Sequence, residues 1–430
     1  MKRMKQTWKL LAIAAMMLVA MTSCNSDNEE PIGEDDVVRL LTKADPIPLT
    51  EAQQQMRDNN NEFAWKLFCT ARKTNGNQGN SFMSPLSVTY LLGMMDAGAA
   101  GSTRDEITAT LGFGEDVMAV NEYCKTMIDG AAAVDPTATV RIANCVEVNS
   151  ALGISLLKQY VDDIKQYYHA QIDALDFTKS NTLDIINNWC KDNTDGMIPS
   201  ILDEINKNAA MYMLNAIYFK ADWAAKFNKK HTRKMDFTLP NGTTVKRELM
   251  HIKARALYGQ DDTCATLRLP FGNGAYSMYV LLPAEGISLE DFIQGMTIQN
   301  LNAHLNNIYT GDIDVLLPKF ETSSHIELIE TLKSMGITSA FDPYRADFSN
   351  MTNASLCMTN ASLCVSMMFQ KAKIEVNEDG AKAAAVTLSG FVLTSYESIP
   401  EFDFHATRPF LYLIMEESTH SIFFIGTYNS

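Results

Sequence analysis

The residue types that could do chemistry in this 430-residue chain are seven histidines, eight cysteines and 51 carboxylates, yet their spacing builds no reactive site. The histidines are scattered, without metal-ligand spacing. His325-Ile326-Glu327 reads as a helix start whose polar side chains cap or face water. No Cys-x-x-Cys pair occurs, so neither zinc nor a thioredoxin-like redox pair is expected. The cysteines read as small core residues. G-x-S-x-G, H-E-x-x-H, Walker and G-x-G-x-x-G motifs are absent. No catalytic residue, cofactor or metal is therefore expected.

Another stretch carries a different kind of chemistry. A strand-like run, Lys371 to Val376, leads into Glu378-Asp379-Gly380-Ala381-Lys382-Ala383-Ala384-Ala385-Val386-Thr387. From Gly380 to Glu401 the chain is rich in small and β-branched residues and lacks turn chemistry until Pro400. Residues two apart share one face of a strand. One face reads Ala381, Ala383, Ala385, Thr387, Ser389, all small; the other reads Lys382, Ala384, Val386, Leu388, Gly390. A strand with one small face can slide between other strands beneath a covering layer. Composition fits an Ala-rich helix equally well.

The rest of the chain must position this stretch. Lys2, Arg3, Lys5 and Lys9 precede an apolar run, Leu10 to Met21, of signal-peptide length and too short to span a membrane. Met21-Thr22-Ser23-Cys24 is similar to a bacterial lipobox, which predicts a lipoprotein signal over 1–23 and lipidation of Cys24. Ordinary secretory cleavage is the alternative. Residues 24–48 are acidic and read as a flexible tether. Acidic stretches of this kind accompany surface export of some lipoproteins, so the expected location is the bacterial outer membrane, with a lipid anchor as the only membrane contact. The net charge of −15 argues against nucleic-acid binding.

Residues 49–430 read as one large domain. A helix is predicted from Thr50, which caps it, to about Lys73. Ser84-Pro85 starts a second, apolar on most sides and hence deeply buried. Thr103 and Glu106 have capping-box spacing for a third, ending at Leu111-Gly112. Strands are predicted over Thr139–Val148, Ile172–Phe177 and Ala210–Trp223. The last is apolar up to Lys220 except for Asn215, which must find buried partners. Further strands are expected at Met235–Leu239, Ala265–Leu269, Tyr276–Leu282 and Asp312–Leu317, and helices at Leu156–Tyr168, Thr182–Thr194, Leu289–Met296, Ile298–Leu305 and Ile326–Met335. Met351 to Cys357 repeats unchanged at Met358 to Cys364, a tandem duplication expected in a surface loop. The pattern is α+β.

Taken in order, several segments resemble the serpin family. They are Asn80 to Ser87; Leu214 to Trp223 with Phe227 and Thr232; Leu317 to Phe320; Met335-Gly336-Ile337; Glu375 to Gly380 with its alanines; Arg408-Pro409-Phe410; and Phe423 to Gly426. The resemblance covers about residue 50 to the C-terminus. It implies a serpin fold of three β-sheets and about nine helices, with an exposed reactive-centre loop over about 380–401. It also implies a monomeric, irreversible suicide-substrate inhibitor of endopeptidases. In such inhibitors a protease cuts the bait loop, forms an acyl-enzyme, and is distorted as the loop inserts into the main sheet. The resemblance makes Glu378, Gly380, Ala381, Ala383, Ala384, Ala385 and Thr387 the hinge, Ser84, Ser87, Asn215 and Gln370 the shutter under the opening strands, and Trp223 part of the breach. A non-inhibitory serpin acting as a surface binding or chaperone protein is the alternative within the family. A binding protein or an unrecognised hydrolase is the alternative outside it.

The family's spacing from Glu378 puts the reactive bond at Thr394-Ser395, with Leu393 and Tyr396 as alternatives; counting back from Pro409 points nearer Ser398. Gly380 to Thr394 spans about 50 Å at roughly 3.3 Å per residue, enough to thread a large sheet. Thr394 suits elastase-like and subtilisin-like proteases, Leu393 papain-like or chymotrypsin-like ones, and Tyr396 chymotrypsin-like ones. No Arg or Lys lies between Lys382 and Arg408, so trypsin-like enzymes are poor targets. Two positions depart from the family pattern. Gln370 stands where serpins usually carry a histidine, and Ala221 where they usually carry a glycine.

Overall fold

The computed structural model describes residues 45–76, 79–353, 363–381 and 401–429. Cys24, Ala383, Ala384, Ala385, Thr387, Leu393, Thr394, Ser395 and Tyr396 lie outside the described residues, as does most of the duplicated segment.

Helix α1 (Glu51–Thr74) starts as its sequence dictates. Thr50 and Gln53 form a reciprocal capping box, and Phe63, Leu67 and Phe68 turn inward. Strand β1 (Ser81–Met83) leads into α2 (Pro85–Gly98), where the Ser87 N–H donates to Ser84 Oγ at 3.3 Å. Nearly every residue of α2 is buried, because it packs on α1, α3 (Gly101–Leu111), α4 (Val117–Ala133) and α5 (Lys158–Tyr168) as well as on the sheets. The remaining helices among the described residues are α6 (Thr182–Asn193), α7 (Leu289–Gly295), α8 (Ile298–Asn306) and α9 (Ile329–Met335).

The strands form two hydrogen-bonded sheets. In the six-stranded sheet the order is β10 (Phe320–Glu327), β11 (Met367–Asn377), β12 (Gly380–Ala381), β4 (Met211–Asp222), β2 (Thr139–Asn149), β3 (Gln171–Leu175). The nine-stranded sheet runs β1, β15 (Ser421–Tyr428), β14 (Phe410–Glu416), β8 (Tyr276–Pro283), β7 (Cys264–Pro270), β6 (Thr244–Gln260), β9 (Tyr309–Pro318), β13 (Phe402–His405), with β5 (Arg233–Thr238) also paired to β6. Two of the three expected sheets are joined here by one long strand. β6 carries β9 along one edge and β5, then β7, along the other.

Both faces of the six-stranded sheet are covered. Alternate residues of β2, β4 and β11, such as Val146, Met213 and Met368, enter the main core beneath α2. Their neighbours Cys145, Leu214 and Phe369 meet Ile186, Trp189 and Cys190 of α6 in a second apolar cluster. That double burial explains the apolar run in β4, interrupted only by Asn215 before Lys220. The described cysteines form no disulfide; Cys124, Cys145, Cys190 and Cys264 are buried and Cys69 and Cys364 partly so.

The structure corrects several expectations. His325-Ile326-Glu327 belongs to strand β10, not a helix start, and α9 begins at Ile329. Thr103 and Glu106 form no capping box. Thr103 Oγ1 accepts from the Asp347 N–H at 2.9 Å, and Glu106 reaches across to accept the Thr338 and Ser339 N–H groups, both at 2.7 Å. Helix α4 had no predicted counterpart; Asp116 caps it. Ile47, within the expected tether, is buried, and its N–H donates to Ser418 Oγ at 3.0 Å. Met351, Thr352 and Leu363, at the ends of the duplication, are buried rather than on the surface.

Candidate functional site

The site lies where β11 and β4 part. Seven residue pairs, Met367–Tyr212 through Lys373–Tyr218, join the two strands in parallel. Beyond Lys373 they diverge, and β12 fills the gap antiparallel to both. Ala381 faces Val376 on one side and Ala221 on the other; Gly380 faces Asn377 and Asp222. Gly380 and Ala381 are buried, so the expected exposed loop begins no earlier than Lys382. Gly380 has φ 147°, and a Cβ there would stand 2.2 Å from the Ala221 carbonyl oxygen. Only glycine tolerates that entry into the fork. The Ala381 side chain belongs to the main core.

The turn into β12 is held from below. Trp223 Nε1 donates to the Asn377 carbonyl at 2.8 Å, and the Trp223 and Phe227 backbone N–H groups donate to Asp379 and Glu378 carbonyls, each at 2.9 Å. The Trp223 ring stacks on Phe271 at 4.4 Å. Glu378 is buried; it accepts from Thr232 Oγ1 at 2.8 Å and pairs with Lys319 Nζ at 3.1 Å. Burial opposes the charged form, but its own backbone N–H, Thr232 and Lys319 outweigh it and hold the carboxyl below its ordinary range. Lys229 pairs with Asp379 at 2.6 Å.

Beneath the closed part of the fork runs a polar row inside the core. Gln370 of β11 stands in register with Asn215 of β4, and Asn215 with Asn144 of β2. Gln370 Oε1 accepts from the Ser84 N–H at 2.8 Å. Its Nε2 has Ser87 Oγ at 2.8 Å, the Ser84 carbonyl at 2.9 Å and Asn215 Oδ1 at 3.3 Å. Asn215 Nδ2 donates to Asn144 Oδ1 at 3.0 Å. Gln370, Asn215, Ser84 and Ser87 have no exposed surface. Their bonds join the N-terminus of α2 to three strands of the sheet. Asn144 was missed by sequence reasoning, though it breaks the apolar set Val140, Ile142, Val146, Val148. Thr232 and Lys319 sat in motifs without a role.

A family profile described as Serpin (serine protease inhibitor) matches residues 58–430. The chain belongs to the serpin family. It is 32% identical to Iripin-2 of Ixodes ricinus over 86% of this chain and 92% of the relative. It is 30% identical to the leukocyte elastase inhibitor of Xenopus laevis over 86% and 97% of the two. Among solved structures, the thermophilic serpin tengpin in its native state matches with a TM-score of 0.79 and 31% identity, covering 92% of this chain and 98% of that one. In this serpin, the segment leading out of β11 is already seated as a short strand between β11 and β4.

Two measurements follow. Gln370→Leu strands the Ser84 N–H and Asn215 Oδ1 in the core and should destabilise the fold by about 3 kcal/mol, read by denaturant unfolding. Gln370→His, which keeps a donor, should lose less. For Glu378, the lowered folded pKa means its contribution is present above the ordinary carboxylate pKa and lost as pH falls through the folded value. Glu378→Gln should therefore cost about 2 kcal/mol near pH 7, and the gap to the parent protein should narrow as pH falls below the ordinary carboxylate range.

Proposed function

We propose that this serpin is an irreversible suicide-substrate inhibitor of endopeptidases whose cut loop inserts between β11 and β4. The observation that carries the reading is the seating of Gly380 and Ala381 in the fork, with the Ala381 side chain in the core. On insertion, continuing the registers of Gly380 and Ala381 along β11 and β4 would set Ala383 between Ile374 and Phe219, Ala385 between Ala372 and Ile217, and Thr387 between Gln370 and Asn215. Insertion must break the β11–β4 pairing and the Gln370–Asn215 contact. The Thr387 hydroxyl then arrives on the polar row, where it can both donate and accept. The growing strand replaces one parallel pairing with two antiparallel ones and buries a run of small side chains, so insertion runs downhill once the loop is cut.

The bait bond is Thr394-Ser395 on this reading, with elastase-like and subtilisin-like proteases as the first targets. Cleavage at Leu393 or Tyr396 would instead suit papain-like or chymotrypsin-like enzymes. The Xenopus relative's name, leukocyte elastase inhibitor, points the same way. Lipidation of Cys24 places the inhibitor on the bacterial cell envelope.

Incubation with an elastase-like, a chymotrypsin-like and a papain-like protease should yield an SDS-resistant 1:1 complex with at least one of them, and mass spectrometry of the released C-terminal fragment should place the cut. Proteases that cut the loop and all leave active would instead mark a non-inhibitory serpin. Ala383→Glu, which forces a charge into the core on insertion, should reduce complex yield about tenfold or more while cleavage continues. Cys24→Ala should move the protein out of the membrane fraction.

A further inference from the structure

On the outer side of the nine-stranded sheet, five charged or titratable side chains from three strands meet. Strand registers align Lys253 of β6, Asp314 of β9 and Asp403 of β13 in one row, and His251, Leu316 and His405 in the next row along the same face. Two imidazoles converge on one carboxylate oxygen: His251 Nε2 lies 2.9 Å and His405 Nε2 3.3 Å from Asp314 Oδ1. Ligand atoms of Asp314, Asp403 and His405 all lie within 4.8 Å of one another. Two ligands on a tetrahedral zinc ion, each bonded at about 2.0–2.1 Å, stand about 3.3 Å apart. The His405–Asp314 separation matches that spacing before any ion is bound, and His251 approaches the same oxygen at hydrogen-bond distance.

We propose that His251, Asp314, Asp403 and His405 form a binding site for a divalent transition-metal ion of zinc's type. Two neutral imidazoles and two carboxylates suit such an ion, leave it electrically neutral, and are poor partners for calcium, which takes oxygen alone. Lys253 Nζ, 3.7 Å from Asp314 Oδ2 and 58% exposed, is the competing cation and can swing into water when metal arrives. The ligands come from positions far apart in the chain, which is why their sequence spacing shows no site. β13 immediately follows the segment ending at Pro400, and its only strand partner among the described residues is β9. Metal binding would pin this edge strand to β9 and β6.

The test is equilibrium dialysis and calorimetry of the full untagged chain, stripped with chelator, against zinc chloride, with hydrogen exchange of the residue 402–405 amides as the structural readout. The expected result is one zinc ion per chain and slowed exchange at those amides. A His251→Ala, His405→Ala double variant should lose affinity by about 100-fold or more and lose the slowing. Lys253→Met, a surface change that removes the competing charge, should bind zinc more tightly. No zinc binding by the parent chain, binding that the double variant leaves unchanged, or exchange at 402–405 indifferent to zinc would each overturn the site. None of these readouts involves a protease, so they stand or fall apart from the inhibitory reading.

Discussion

The structure depends on the contact that closes the six-stranded sheet: the Gln370–Asn215 pair beneath the joined parts of β11 and β4. A buried hydrogen bond contributes only about 1 kcal/mol net, but an orphaned buried donor or acceptor costs about 1–3 kcal/mol. The polar row is therefore held less by its own strength than by the cost of leaving any member alone. Ser84 and Ser87, at the start of the most deeply buried helix, satisfy the glutamine from below, so β11, β4 and α2 are tied at one point. An entering strand can part them only if it brings its own polar group to that level.

Around that point the fold separates holding from yielding. The turn before β12 is fixed by Trp223, Thr232 and Lys319, and Gly380 enters at a backbone angle that no side chain tolerates comfortably. Below it, β11 and β4 meet in seven parallel pairs whose partners could each be replaced by a strand between them. Farther along the chain, β13 rests on β9 alone among the described strands. The chemistry on that face, two imidazoles around Asp314, lies where a bound ion would fix the far anchor.

Much of this was legible in the sequence because local rules apply without competition. The Thr50 and Ser84 caps, the mostly apolar β4 and the small alternate face beginning at Ala381 follow from period and propensity alone. Errors came where a tertiary partner outbid a local one. Glu106 has the spacing of a capping residue, but the bare N–H groups of Thr338 and Ser339 offer it three hydrogen bonds with Ser339 Oγ included. His325 to Glu327 resembled a helix start until pairing with β11 drew it into a strand. Ile47 sits in an acidic, Pro-containing segment, yet Gly130 leaves room for it against the core.

By itself the sequence determined the family, the small face and the need for Asn215 to find partners, since each rests on residue type and short-range period. Only the tertiary structure decided where the loop's first residues lie, that Asn144 completes the polar row, and that His251, Asp314, Asp403 and His405 share one place. The reason is register: which residue stands opposite which across a sheet is set by the packing of whole strands, and residues far apart along the chain carry no trace of it in their own spacing.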